Sequence, residues 1–209
     1  MTPAEIWRTI DLKLIAVLRG ITPRETPEVV NILLDEGFRT IEVPLNSPDP
    51  YTSIRLAADI AAERGPCLIG AGTVLTAEEV ARVQEAGGSI IVSPDVDPAV
   101  VGATLERGLA SFPGVFTATE AHLALKRGAT GLKVFPASQL GSAGIKAILA
   151  TLPKDVQLCA VGGIGPDDFA EYLDVGVIGF GMGTSLYRPG ISMEKVRDVA
   201  QRSATMMRR

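Results

Sequence analysis

The 209-residue chain is poor in the groups that most enzyme chemistries rely on. It has one histidine, His122, inside a helix-like stretch with no acidic or cysteine partner at metal or triad spacing. That spacing argues against a histidine-based triad, and no cluster of His, Asp and Glu suggests a metal-dependent mechanism. Ser138 and Ser142 lack a histidine base within their motif, which argues against a serine hydrolase. The two cysteines, Cys67 and Cys159, sit in apolar segments without a CxxC pattern and read as buried free thiols of a reducing compartment. Aromatics are 5% of the residues, and no run of Lys and Arg is interleaved with them. With a net charge of −4, nucleic acid is not an expected partner. Long uninterrupted apolar runs are missing too. "MTPAEIWRTIDLKLIAVLRG" carries Glu5 and Asp11 early and reads as neither a signal peptide nor a membrane span, so the expectation is a cytoplasmic protein without membrane contact.

What is present is a rhythm. Apolar strand-like runs end near Leu18, Val43, Thr73, Val92, Phe116, Val134, Val161 and Phe180. They are rich in Val, Ile and Leu with little alternation, the pattern of parallel strands covered on both faces. Amphipathic segments fill most intervals. "TAEEVARVQEAGG" opens with Thr76 and has Glu79 three residues later, a capping-box spacing. "RETPEVVNILLDEG" stops at Gly37, and "GPDDFAEYLDVG" has Pro166 near its first turn and Gly176 as its stop. Eight such units, with a short helix near residues 3–11, predict an α/β (β/α)8 TIM barrel forming one domain over residues 1–209. A doubly wound open sheet is the alternative, but no Gly-rich dinucleotide loop follows the first strand.

In such a barrel, function collects at the C-terminal strand ends. Those ends carry Arg19, Glu42, Thr73, Pro94, Thr117, Lys133, Gly162, Gly163, Gly183 and Thr184, drawn from positions more than 100 residues apart. Lys133, in "GLKVFPASQ", stands inside a strand whose neighbours are apolar, where an ammonium is expensive. It either snorkels to the rim or, pointing inward, becomes a free amine able to form a Schiff base. Glu42, in "TIEVPLNSP", is the second anomaly: either one half of a buried ion pair with Lys133 or Arg19, or a proton shuttle with a raised pKa. Arg19 suits a bidentate grip on a carboxylate, and Thr73 in "GAGTV" offers a hydroxyl to the same group. The glycine clusters "AVGGIGPDD" and "GFGMGTSLY" occupy the usual phosphate end of this fold and predict a phosphorylated substrate held by backbone N–H groups.

The ordered set "AVLRGITP", "EVPLNSP", "IGAGTVL", "IVSPD", "TATEA", "LKVFPAS", "AVGGI" and "GMGTSLYRPG" resembles the bacterial 2-keto-3-deoxy-6-phosphogluconate aldolase family over essentially the whole chain. The resemblance implies a class I, metal-free and cofactor-free aldolase, usually homotrimeric. It would cleave a 2-keto-3-deoxy sugar acid 6-phosphate to pyruvate and D-glyceraldehyde 3-phosphate. It implies Lys133 as the Schiff-base lysine and Glu42 as acid/base, with Arg19 and Thr73 at the carboxylate. Gly162, Gly163, Gly183 and Thr184 would meet the phosphate. The gluconate type resembles "EVTLRT" where this chain has Asn46, and "CPTGG" where it has Val161; on both counts the chain resembles the 6-phosphogalactonate branch. The two substrates differ at C4, so Asn46 and Val161 join the substrate-binding set. Other readings are a gluconate or 4-hydroxy-2-oxoglutarate aldolase, or a barrel that binds a sugar phosphate without turning it over. "VVGATL" is one apolar stretch that could serve a trimer or pack as an ordinary barrel helix.

Overall fold

A computed structural model describes residues 1–208. Helix α1 (Pro3–Thr9) precedes β1 (Leu14–Val17), and the chain then alternates through α2 (Thr26–Asp35), β2 (Thr40–Pro44), α3 (Pro50–Ala62), β3 (Leu68–Gly72), α4 (Ala77–Glu85), β4 (Ile90–Val92) and α5 (Pro98–Glu106). The second half runs β5 (Ala110–Phe112), β6 (Gly114–Val115), α6 (Ala118–Lys126), β7 (Leu132–Val134), α7 (Ala137–Leu149) and β8 (Leu158–Val161). A 3-10 turn (Pro166–Asp168), α8 (Phe169–Asp174), β9 (Gly179–Met182) and α9 (Met193–Met207) complete it. Every strand pairing is parallel, in the order β5-β4-β3-β2-β1-β9-β8-β7-β6.

The nine strands make eight staves. The two terminal strands of that order, β5 and β6, are consecutive in the chain and separated only by Pro113. Proline has no N–H to give the ladder, so the fifth stave breaks there. Its carbonyl still accepts from the Lys133 N–H at 3.0 Å, which closes the cylinder onto β7. The fold is thus the expected α/β barrel with its short N-terminal helix.

Two cores follow from strand periodicity. Outward residues such as Ile41, Val43, Leu132 and Val134 pack beneath the helices. Inward residues, among them Ile15, Leu68, Ile90 and Phe112, fill the lower barrel. Trp7 of α1, fully buried, plugs the bottom by meeting Phe112 edge-on at 4.8 Å between centroids. Its indole N–H donates to Gln157 Oε1 at 3.2 Å, so the polar handle of a buried aromatic is satisfied. Capping boxes start three helices: Thr2 with Glu5, Thr76 with Glu79, and Thr117 with Glu120. Thr117 is therefore a helix cap.

Of the two readings of "VVGATL", an exposed apolar face or an ordinary barrel-packing helix, the structure shows the second. Val100, Val101 and Thr104 are buried in the fold, because α5 turns its apolar side to the strands. Large exposed apolar side chains among the described residues are Met1, Leu75, Phe116 and Phe135. Cys159 is buried and Cys67 only half-buried, and neither forms a disulfide. No helix among the described residues is long and apolar enough to cross a membrane.

Candidate active site

The C-terminal mouth of the barrel opens into a cavity of about 640 Å³. Nine of the ten site residues expected from sequence line it: Arg19, Glu42, Thr73, Lys133, Val161, Gly162, Gly163, Gly183 and Thr184. Pro94 lines it as well; Asn46 and Thr117 do not.

Lys133 and Glu42 belong to the sixth and second staves, which face each other across an eight-stave barrel. Both point inward because the residues flanking them in sequence point outward into the helix-covered core. Lys133 is 8% exposed, and its Nζ donates to the carbonyl of the buried Ser93 at 3.2 Å. The ammonium lies 4.8 Å from the centre of the Phe135 ring. Burial lowers its pKa, the Glu42 carboxylate opposes that shift, and the Arg19 guanidinium adds to it.

Glu42 is 3% exposed, and its Oε2 has no hydrogen-bond partner among the described residues. Burial raises the carboxyl to about 7, against the pull of Lys133 and then Arg19. Among the described residues, no cation nitrogen lies within 4.0 Å of this carboxylate. The buried ion pair is therefore not formed, and the acid and the amine share a cavity without touching. An unpartnered buried carboxyl is costly and marks a position that substrate or solvent must complete.

Asn46 sits outside the cavity wall but behind one of its members. Its Oδ1 accepts from Arg19 Nη1 at 2.6 Å, while Arg19 Nη2 donates to Thr73 Oγ1 at 3.3 Å. Loops from three adjacent staves thus fix one exposed guanidinium. Thr73 has φ of +56°, a left-handed conformation uncommon for a threonine.

At the other end, Gly162 and Gly163 have φ of +93° and +73°. A Cβ on Gly162 would approach the Phe135 ring to 2.9 Å, and one on Gly163 would come within 2.2 Å of Ser138 Oγ. Among the described residues, the N–H groups of Gly162, Gly163, Gly183 and Thr184 donate to no backbone acceptor in these loops. Such free donors beside a cavity suit an anion. Ser185 also lines the cavity, but its Oγ donates to the Ile164 carbonyl at 3.1 Å, whereas Thr184 makes no side-chain bond among the described residues.

Arg188 and Val17, which the sequence does not single out, also line the cavity. A cation shortly after the second glycine cluster, in "SLYRPG", was the available signal for Arg188. Phe135, just past β7, lines the cavity on the same face as Lys133, as the strand period predicts.

The family model for KDPG and KHG aldolases matches residues 6–202. The chain is 51% identical over 187 residues to a probable 2-dehydro-3-deoxy-6-phosphogalactonate aldolase of Rhizobium meliloti, covering 90% of this chain and 87% of that protein. It is 43% identical to the 2-dehydro-3-deoxy-6-phosphogalactonate aldolase of Escherichia coli, over 97% of this chain and 96% of the relative. A solved structure described as native KDPGal superposes with a TM-score of 0.91 at 42% identity, covering 94% of this chain and 95% of the other. The chain belongs to the KDPG and KHG aldolase family.

Proposed function

We propose that the protein is a class I 2-dehydro-3-deoxy-6-phosphogalactonate aldolase, its chain working as one catalytic barrel that needs no cofactor. The observation that carries this reading is the pair of buried, unbridged titratable groups, Lys133 and Glu42, facing one cavity. A binding site has no use for a desolvated amine opposite a carboxyl that lacks a partner.

Lys133, as the free amine, adds to the C2 ketone, and loss of water gives an iminium, the electron sink for the bond two carbons away. Glu42, raised toward neutrality by burial, takes the C4 hydroxyl proton. The C3–C4 pair flows into the iminium, D-glyceraldehyde 3-phosphate leaves, and the enamine is protonated at C3. Water then frees pyruvate and regenerates the amine. Arg19, with Thr73 beside it, holds the C1 carboxylate, while the free N–H groups of the two glycine clusters hold the phosphate. Val161 faces the C4 region without a hydroxyl, which suits the galactonate configuration. The reading carries a cytoplasmic homotrimer with it, for which the exposed Leu75 and Phe116 offer apolar surface.

Borohydride reduction in the presence of pyruvate tests the proposal. One alkylated lysine, mapped to position 133, is the expected product, and Lys133→Arg protein should be both unlabelled and inactive. Full activity in that variant would end the reading.

A further inference from the structure

The cavity is lined by three cationic side chains, and two of them are already engaged. Arg19 is held by Asn46 and Thr73, and Lys133 donates to Ser93. Arg188 is different. Among the described residues, its side chain makes no hydrogen bond and has no carboxylate within 4.0 Å, yet it belongs to the cavity wall together with Gly162, Gly163, Gly183 and Thr184.

Its loop is not slack. The residues just before it, Leu186 and Tyr187, are buried, and both of their N–H groups donate to the Gly183 carbonyl at 2.9 Å. The residue just after it, Pro189, presses on the loop that follows β1: a Cβ at Gly20 would lie 2.8 Å from Pro189 Cγ. Gly20 is anchored in turn, its N–H donating to Ser47 Oγ at 2.9 Å. The Gly20–Pro189 contact therefore joins the two loops that carry Arg19 and Arg188, each arginine one residue from it. Arg188 is exposed in the molecule but rooted at both ends, so little backbone freedom remains to be lost when it meets an anion.

We infer that Arg188 is a specificity residue: it binds the substrate phosphate opposite the glycine N–H donors and makes the cavity select the 6-phosphorylated keto acid over an unphosphorylated or dicarboxylic one. The inference rests on the aldolase reading above and deepens it. A substrate of that class carries a carboxylate at one end and a phosphate near −2 at the other. The neutral N–H groups alone leave most of the second charge unopposed. A guanidinium supplies both that charge and a planar fork for phosphate oxygens.

The test compares Arg188→Gln and Arg188→Lys with the parent protein. In Arg188→Gln, KM for the phosphorylated acid should rise about tenfold or more, as expected for a lost charge-assisted hydrogen bond. Its kcat should change less than about threefold, the pattern of lost uniform binding. KM for the unphosphorylated acid should stay unchanged, and Arg188→Lys should recover much of the loss. Calorimetry with inorganic phosphate, which needs no turnover, should show weaker binding to the Gln variant. Equal losses on phosphorylated and unphosphorylated acids, or unchanged phosphate affinity, would overturn the assignment. Absence of cleavage by the parent protein would instead remove the aldolase reading, with the calorimetry still deciding whether residue 188 recognises phosphate.

Discussion

The Glu42 carboxylate occupies the space that a side chain at Gly72 would need. A Cβ built at position 72 would fall 2.0 Å from Glu42 Oε2 and 2.4 Å from Oε1. The glycine of "IGAGTVL" is thus part of how the acid is aimed. Gly72→Ala should push the carboxylate out of place, with backbone strain of about 1–3 kcal/mol as in other overpacked interiors. We expect kcat to fall about a hundredfold while the fold survives. Steady-state kinetics beside a denaturant titration checks this; an alanine variant with parental kcat would show that the packing has no bearing on the acid.

Glu42 should also write itself into the pH dependence of stability. Its carboxyl is raised to about 7 in the folded protein from an ordinary 4.5. Between those values the native state holds a proton that the unfolded chain has released. The contribution is therefore complete below 4.5 and is lost as pH rises through 7, an effect on the order of 3 kcal/mol. The buried Lys133, whose pKa is lowered, tilts stability the other way in a more alkaline window, gaining as pH rises toward 10.5. Comparison of parent and Glu42→Gln protein isolates the acid: the stability advantage of the Gln variant should grow from pH 5 to pH 8. A constant difference across that range contradicts the buried, unpaired carboxyl.

The same substitution should cost activity. Loss of a general acid/base lowers kcat by about 10²–10⁴-fold. In the parent protein, the acidic limb of kcat/KM should bend near pH 7 and be absent from the residual activity of Glu42→Gln. A limb that persists there belongs to another group.

Asn46 should act through Arg19. Asn46→Ala removes the 2.6 Å bond to the guanidinium and leaves Thr73 as its only fixed partner. We expect KM to rise about three- to tenfold, the effect of one hydrogen bond, with kcat nearly kept. Pyruvate inhibition should weaken in parallel if, as proposed, the same guanidinium holds the carboxylate. If pyruvate binding is untouched, Asn46 has no part in holding that end.

Val161 should bear on the choice between the two C4 epimers. Val161→Thr keeps the volume and adds a hydroxyl at the cavity wall beside Gly181, whose Cβ position would crowd residue 161. The ratio of kcat/KM for the 6-phosphogluconate epimer over the 6-phosphogalactonate epimer should rise about tenfold. An unchanged ratio would place C4 recognition elsewhere.

Much of this molecule was legible in its sequence. Strand period, helix caps and glycine stops are settled over a few neighbouring residues, so the eight-unit plan and the Thr76–Glu79 capping box could be read directly. The oddity of Lys133 and Glu42 was legible for the same reason: a charge inside an apolar strand needs no partner to look expensive.

Other features needed the closed cylinder. Whether Glu42 pairs with Lys133 depends on the width of the barrel, and the structure keeps the two groups apart across the lumen, where the sequence left both outcomes open. Asn46 reads as a wall residue in its motif, yet it supports Arg19, because the loops after two adjacent staves bring the amide to the guanidinium. Thr117 looked like a rim residue and proves to be a helix cap, a competition that local hydrogen bonding wins. For Arg188 the sequence offers only a cation after a glycine cluster; that its loop is anchored shows once Pro189 meets Gly20, 169 positions away in the chain. Sequence determined the elements and the residues that cannot be at ease within them, since both are local energies. Tertiary structure alone decided which of those residues meet, since that depends on the curvature and closure of the whole sheet.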